Sequence, residues 1–328
     1  MRRRELLLMG LTAAVLADSS RRAFAQEQYP SRPIRLVIPS VPAGVHDVIG
    51  RLWAERVKPV LGTIVIDNRG GGGGVIGAND VAHAQPDGYS ILLGSTSTQV
   101  LSPAAMAQPP YDPVKSFAGV SVFSFSSTSI VVNPAVPVHS LSELIAYAKA
   151  NPGKLSYGSA GNGSITNMAG ELFKRLAGGL DIVHIPYKGI GQGVADLISG
   201  VIPMFSANAT AQILDLARAG KVRILSVNSA ERIKAAPEIP TSTAAGLPGM
   251  VAQTTFAIFV PAGTPAAIVA RLDAATQKVM TDEDFQKQLL NLGFEPVRGI
   301  GGERATEVFK DELVRWTPIL KAGGVKSE

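Results

Sequence analysis

The chain contains no cysteine. Disulfides, thiolate metal sites, cysteine nucleophiles and a lipid anchor on an N-terminal cysteine are thereby excluded. Histidine is scarce as well. His46, His83, His139 and His184 are the full set, and no two stand at metal-ligand spacing. A Gly-x-Ser-x-Gly nucleophile elbow is missing, because Gly158-Ser159-Ala160-Gly161 lacks its first glycine. Ser164, His46 and Asp47 make a nominal triad, but nothing in their spacing supports one. Beyond the N-terminus no apolar run is long and clean enough to span a bilayer, which takes about 20 residues. These absences leave no catalytic site, no metal site and no resident cofactor to expect, and a protein that is not an enzyme.

The N-terminus does carry a pattern. Arg2, Arg3 and Arg4 precede an apolar run over 6–17, and Ala23-Phe24-Ala25 follows as a small-x-small cleavage site. Basic, apolar, small in that order reads as a secretory signal peptide over 1–25, exported by the general or the twin-arginine route. The leader's five arginines against Glu5 and Asp18 contribute +3 of the formal +5 charge. The high isoelectric point is largely the leader's, so no nucleic-acid partner is indicated. The remaining chain is expected in the periplasm, as a soluble monomer.

Short β-rich runs alternate with longer amphipathic ones. Strands are expected over 34–39, 63–67 and 90–94, with helices over 47–61 and 75–84 between them. A second series follows. Its strands are 130–133, 154–158, 181–186, 202–206 and 222–227. Its helices begin at a Ser140-x-x-Glu143 capping box and at Ser164. Helices over 265–280 and 282–292 close the pattern, the last capped by Thr281-x-x-Asp284. Two series of βαβ steps predict an α/β protein of two lobes, each a doubly wound sheet in a type II periplasmic-binding-protein (Venus flytrap) arrangement. Extended segments at 121–129 and 252–260 would be the hinge. Residues 26–125 and 250–328 would form lobe one, and 126–249 lobe two, with the C-terminal helices on either.

Four loops stand at strand-to-helix junctions. Residues 39–47 include Ser40, Val41, Ala43, Gly44, His46 and Asp47. Free amides and the helix dipole attract an anion at such a place, and small residues let it reach the main chain. Asp47 would equally serve as a simple cap. The matching junction of the second series is Ser159, Ala160, Gly161, Asn162, Gly163 and Ser164, a nest of donors or an ordinary glycine-rich turn. Ser95 and Thr96, at a strand's carboxyl end, are placed to donate to a bound oxygen or to cap the next turn. Gly72-x-Gly74-x-x-Gly77 satisfies a dinucleotide fingerprint, and supports the alternative of an exported NAD(P)-dependent oxidoreductase. The ribose-binding acidic residue is missing at Gly94-Ser95-Thr96, and the glycines follow the second strand instead of the first. Among the histidines His46 alone lies in an expected cleft; His184, within a strand, reads as packed.

With these residues in view, the sequence resembles the Bug-type receptors, the extracytoplasmic solute-binding proteins of tripartite tricarboxylate transporters. The likeness runs through Tyr29-Pro30-x-Arg32-Pro33-Ile34, the 39–47 loop with Arg51, Asp67-Asn68-Arg69, Gly77-Ala78 and Asp87-Gly88-Tyr89. It continues through 159–164, Ala169-Gly170-Glu171-Leu172-Phe173, Pro186-Tyr187-Lys188-Gly189, Pro240-Thr241 and Val260-Pro261-Ala262-Gly263-Thr264-Pro265. The resemblance implies a receptor that closes two lobes on a small organic carboxylate, a di- or tricarboxylate or aromatic acid. Transporter membrane subunits or a sensor kinase would be its partners. It implies that Ala43, Gly44, Asp47, Gly161, Asn162, Gly163 and Ser164 surround the carboxylate, with Thr96 a weaker carry-over. This chain departs from the family where it has Ser40 for an aromatic, Ala43-Gly44 for a glycine pair, His46 for Thr or Ser, and Asn167 for His. Ser40 should enlarge or hydrate the pocket. His46 should donate to a carboxylate and make affinity pH-dependent.

Overall fold

The computed structural model describes residues 29–322, so the proposed leader lies outside the described residues. Ile34, Leu36, Val37 and Ile38 are fully buried, as a strand covered on both faces requires. They make β1 (Ile34–Ile38) the centre of a parallel set, between β2 (Ile64–Asn68) and β3 (Ser90–Ser95). Helix α1 (Val45–Leu61) connects β1 to β2 and buries Ile49, Trp53, Val57 and Leu61 at helical spacing. It starts two residues before the predicted 47. Helix α2 (Val75–Ala82) leads towards β3. A short π-helix over Ser97–Leu101 follows, and then α3 (Ser102–Ala105).

The second half repeats the plan. β5 (Leu155–Ser159) lies between β6 (Ile182–Pro186) and β7 (Met204–Asn208), all parallel. Helices α4 (Leu141–Ala150), α5 (Ile165–Leu176), α6 (Ile190–Ser199) and α7 (Ala211–Arg218) accompany them. Ser140 accepts from the Glu143 amide, as the capping box predicts, but Glu143 reaches back to the His139 amide.

The sheets are mixed, where the sequence pattern reads as parallel throughout. Strand β4 (Phe117–Val132) is antiparallel to its neighbours and belongs to both halves. Up to Ser127 it pairs with β9 (Gln253–Pro261). From Thr128 onward it pairs with β7, and β8 (Arg223–Val227) bonds to its last residues. The predicted strand at 130–133 is thus the far end of β4. The segments 121–129 and 252–260 do run extended, side by side. Helices α8 (Ala266–Met280) and α9 (Glu283–Asn291) follow, then β10 (Glu295–Gly301) and α10 (Gly302–Ala322). β10 pairs with β4, and neither it nor α10 is signalled in the sequence pattern. Trp53 of α1 donates to Thr276 of α8, which fixes α8 on the first half. The α9 cap is Asp282, whose carboxylate accepts from Asp284 and Phe285; Thr281 instead donates to the Lys278 carbonyl.

Candidate functional site

The loop after β1 turns on Ala43, a non-glycine residue at φ 62°. That left-handed conformation costs an L-residue about 1–2 kcal/mol. The Ala43 amide recovers part of it by donating to Asp47 Oδ2 at 2.8 Å. Asp47, in the first turn of α1, is buried, and its Oδ1 accepts from Arg51 Nε and Asn68 Nδ2, each at 2.9 Å. Burial opposes ionisation here. The bonds from Arg51, Ala43 and Asn68 outweigh it and hold the carboxyl below its usual range. Asp47 therefore braces the loop from within the helix. The capping position belongs to Gly44, where a Cβ would stand 3.1 Å from the Val41 carbonyl oxygen. Having no side chain, Gly44 leaves the first amides of α1 without a cap. Ser40 Oγ bonds only to the Val41 carbonyl, and Val41 is exposed.

His46 follows the Gly44 turn by two residues, edge-on to Phe256 with ring centroids 5.2 Å apart. Its Nε2 is fully buried without a partner. Burial pushes the imidazole down to about 4, so the ring is neutral in the neutral range. The pH-dependence expected of a His46 charge is thereby moved into acid.

The loop after β5 is built differently. Gly161 and Gly163 take φ of 116° and 70°. Ser164 caps α5, accepting from the Asn167 amide at 3.2 Å and donating to the Gly161 carbonyl at 2.7 Å. The amides of Ala160, Gly161 and Gly163 go to Thr166 Oγ1, Ser159 Oγ and Asn167 Oδ1. Asn167 Nδ2 donates to the Tyr157 hydroxyl, which in turn donates to Glu171. Ser159 Oγ lies 2.7 Å from His184 Nε2. Burial pushes His184 down to about 4, partly offset by Glu171 and reinforced by Lys174. Reading His184 as packed holds, but within a polar network. Asn162 is exposed.

The two loops meet. A Cβ on Gly189, before α6, would stand 3.7 Å from Val41. A Cβ on Gly73 would stand 3.4 Å from the Asn162 carbonyl oxygen. The π-helix and α3 lie between them. Ser97 Oγ accepts from the Ile165 amide at 3.2 Å, and Ser102 Oγ donates to the Gly73 carbonyl at 3.0 Å with the Gly163 carbonyl at 3.4 Å. Ser97 lies within the polar stretch 94–98 from which Ser95 and Thr96 stand out in the sequence, and Ser102 carries no signal of its own. Ser95 exchanges bonds with Thr98, and Thr96 Oγ1 accepts from the Thr255 amide, so both hydroxyls brace the π-helix.

The glycine run serves the same junction. A Cβ on Gly70 would stand 3.0 Å from the Val41 nitrogen, and one on Gly77 2.8 Å from the Arg69 carbonyl oxygen. These glycines let three backbones approach one another, which is where a pyrophosphate would have to lie. Among the described residues no cluster of His, Asp and Glu is placed to hold a metal ion, and no helix is long and apolar enough to cross a membrane.

Two half-sheets with parallel centres, joined by the antiparallel strands that pass between them, make the fold of a two-lobed solute-binding protein. The comparisons give the family. Residues 49–325 match the model of the tripartite tricarboxylate transporter family receptors, and the chain belongs to that family, within its Bug type. It is 36% identical to the "UPF0065 protein in tcbD-tcbE intergenic region" of Pseudomonas sp. (strain P51), over 97% of this chain and 94% of that one. It is 33% identical to the protein BugT of Bordetella pertussis, over 97% and 94%. The solved structure of R. palustris Rpa4515 with adipate superposes with a TM-score of 0.86 at 31% identity, covering 91% of this chain and 99% of that one. The family and the structural neighbours are receptors, not enzymes, which removes the oxidoreductase alternative.

Proposed function

We propose that this receptor works in the periplasm and closes on a small organic carboxylate, for uptake by transporter membrane subunits or for a sensor. The observation that carries this reading is the uncapped N-terminus of α1. Its braced loop presents main-chain donors and a positive helix end to the crevice, the environment an anion requires. The ligand's carboxylate sits against Ala43–Asp47, faced by Gly161, Gly163, Ser164 and Thr166 from the second half. Ser40 and Val41 flank it, and His46 Nε2 offers the remaining unpartnered polar atom of the first loop. In this reading lobe one is residues 26–125 with 250–328 and lobe two is 126–249. The change of partners along β4 at 127–128 supports that division.

Adipate in a relative's structure makes dicarboxylates the first class to try. The test is a thermal-shift screen of protein unfolded and refolded to remove carried-over solute. It should cover mono-, di- and tricarboxylates and aromatic acids. Ligand at a hundred times Kd stabilises by about 2.7 kcal/mol. A rise in Tm with one class is expected. No rise with any acid would sink the reading.

A further inference from the structure

Ser97 and Ser102 make bonds that the carboxylate reading does not use. The first amide of a helix has no intrahelical acceptor and is a donor an anion can take. In α5 that amide, of Ile165, is already occupied by Ser97 Oγ from the first half of the molecule. Ser102 has one hydroxyl proton and two carbonyl oxygens within reach, Gly73 on its own side and Gly163 on the other. Gly163 turns its carbonyl toward Ser102 at φ 70°, a conformation that side chains rarely adopt.

The segment carrying both serines is held firmly. All five residues of the π-helix are buried. Tyr111 donates to the Thr98 carbonyl at 2.6 Å, and the Thr255 amide donates to Thr96 Oγ1 at 2.9 Å. Glu312 of α10 accepts from the Thr255 hydroxyl. Burial raises the Glu312 carboxyl, against the opposing bonds from Thr255 and Thr96 and the charge of Arg315. A π-turn is a costly irregularity found often at functional sites, and here it aims a hydroxyl across the crevice.

We propose that Ser97 and Ser102 are positioning residues that form an interlobe clasp. The clasp holds the two halves together through protein–protein hydrogen bonds and closes a fraction of the receptor before any solute enters. Ser97 Oγ stands in for a ligand oxygen on α5. Solute affinity is set partly by this pre-closure, because a receptor already populating the binding-competent state binds more tightly in proportion to that population. The proposal holds whichever solute is carried.

The deciding measurements are therefore made without solute, on refolded protein. Amide exchange at Ile165, followed by NMR, reads the Ser97 bond directly, since a first-turn helix amide is otherwise unprotected. Small-angle scattering reads the separation of the halves. Wild type should protect the Ile165 amide about fivefold beyond the unbonded Thr166 amide, in keeping with a bond of about 1 kcal/mol. Ser97→Ala should abolish that protection, and Ser97→Thr, which keeps the hydroxyl, should retain it. The Ser97→Ala/Ser102→Ala double variant should show a larger radius of gyration. An unprotected Ile165 amide in unliganded wild type would overturn the clasp, and so would unchanged scattering of a folded double variant. If the alanine variants do not fold, the wild-type exchange rate alone decides.

Discussion

The loop after β1 and the loop after β5 occupy the same place in their half-sheets, yet they use their donors in opposite ways. In the first, Gly44 leaves the leading amides of α1 uncapped, and Asp47 braces the turn from inside the helix. In the second, Ser159, Ser164, Thr166 and Asn167 take up the amides of their own loop, and Ser97 takes the first amide of α5. A helix N-terminus recognises an anion only with donors the protein has not already satisfied. In the function proposed above, the first loop is therefore the grip, and the second is a preformed wall against which the grip closes.

Giving the first loop what the second already has should break this contrast. Gly44→Asp places a carboxylate at the capping position of α1. Its φ of −72° suits any residue, and the added Cβ, 3.1 Å from the Val41 carbonyl oxygen and 3.3 Å from Ser40 Oγ, displaces those two atoms slightly. Aspartate in place of a glycine N-cap adds only a few tenths of a kcal/mol, about 0.3, to helix stability. The same carboxylate takes the donors meant for the ligand and repels it. Two charge-assisted hydrogen bonds at about 1.5–3 kcal/mol each make the affinity loss about a hundredfold or more. Lost binding in calorimetry with Tm little changed is the expected pair of results. Retained affinity would move the grip elsewhere.

The two half-buried histidines divide in the same way: His46 Nε2 is without a partner, while His184 is bonded to Ser159. Both are pushed from 6.5 to about 4. Below pH 6.5 the unfolded chain takes up protons that the folded protein refuses, so stability falls as pH drops from 6.5 towards 4 and is level above 6.5. At about 1.4 kcal/mol per unit the loss at His46 reaches at most about 3 kcal/mol, and less at partly accessible His184. Urea unfolding at pH 7.5, 6 and 4.5 measures the slope. His46→Thr should remove its share, and a carboxylate that engages Nε2 should favour the charged ring and flatten it.

Asp47 comes next in size. Asp47→Ala strips the acceptor from the Ala43 amide and from Asn68, and frees a loop already held in a left-handed turn. A loss of about 2 kcal/mol in denaturant unfolding is expected, with a parallel loss of affinity. Unchanged stability would show that the turn holds without its brace.

Much of this was legible locally. The buried run Ile34–Ile38, the Ser164 cap and the extended segments at 121–129 and 252–260 follow from period, capping chemistry and β-branching over a few residues. Thr281 was a cap one residue early because Asp282 beside it is the stronger acceptor. The rest depends on partners distant in sequence. Nothing near Ser97 announces Ile165, 68 residues on. A π-turn has no hydrophobic period, and β10 earns its strand only by pairing with β4. Gly72–Gly77 imitated a cofactor loop because close backbone approach needs glycine, whether a phosphate or another loop is what approaches. For the same reason the sequence showed two equivalent helix N-termini, while only the bonding pattern separates grip from wall.

The smallest effect tests the wall. Ser164→Ala removes the α5 cap, the Asn167 bond and the bond to the Gly161 carbonyl. A cap of this kind is worth about 1 kcal/mol. If the second loop is a preformed wall, that stability loss should appear in urea unfolding while affinity falls by no more than about threefold, since the Ser164 hydroxyl is already committed within its own loop. A fall in affinity well beyond the fall in stability would mean that Ser164 meets the solute directly, and that the loops share the grip after all.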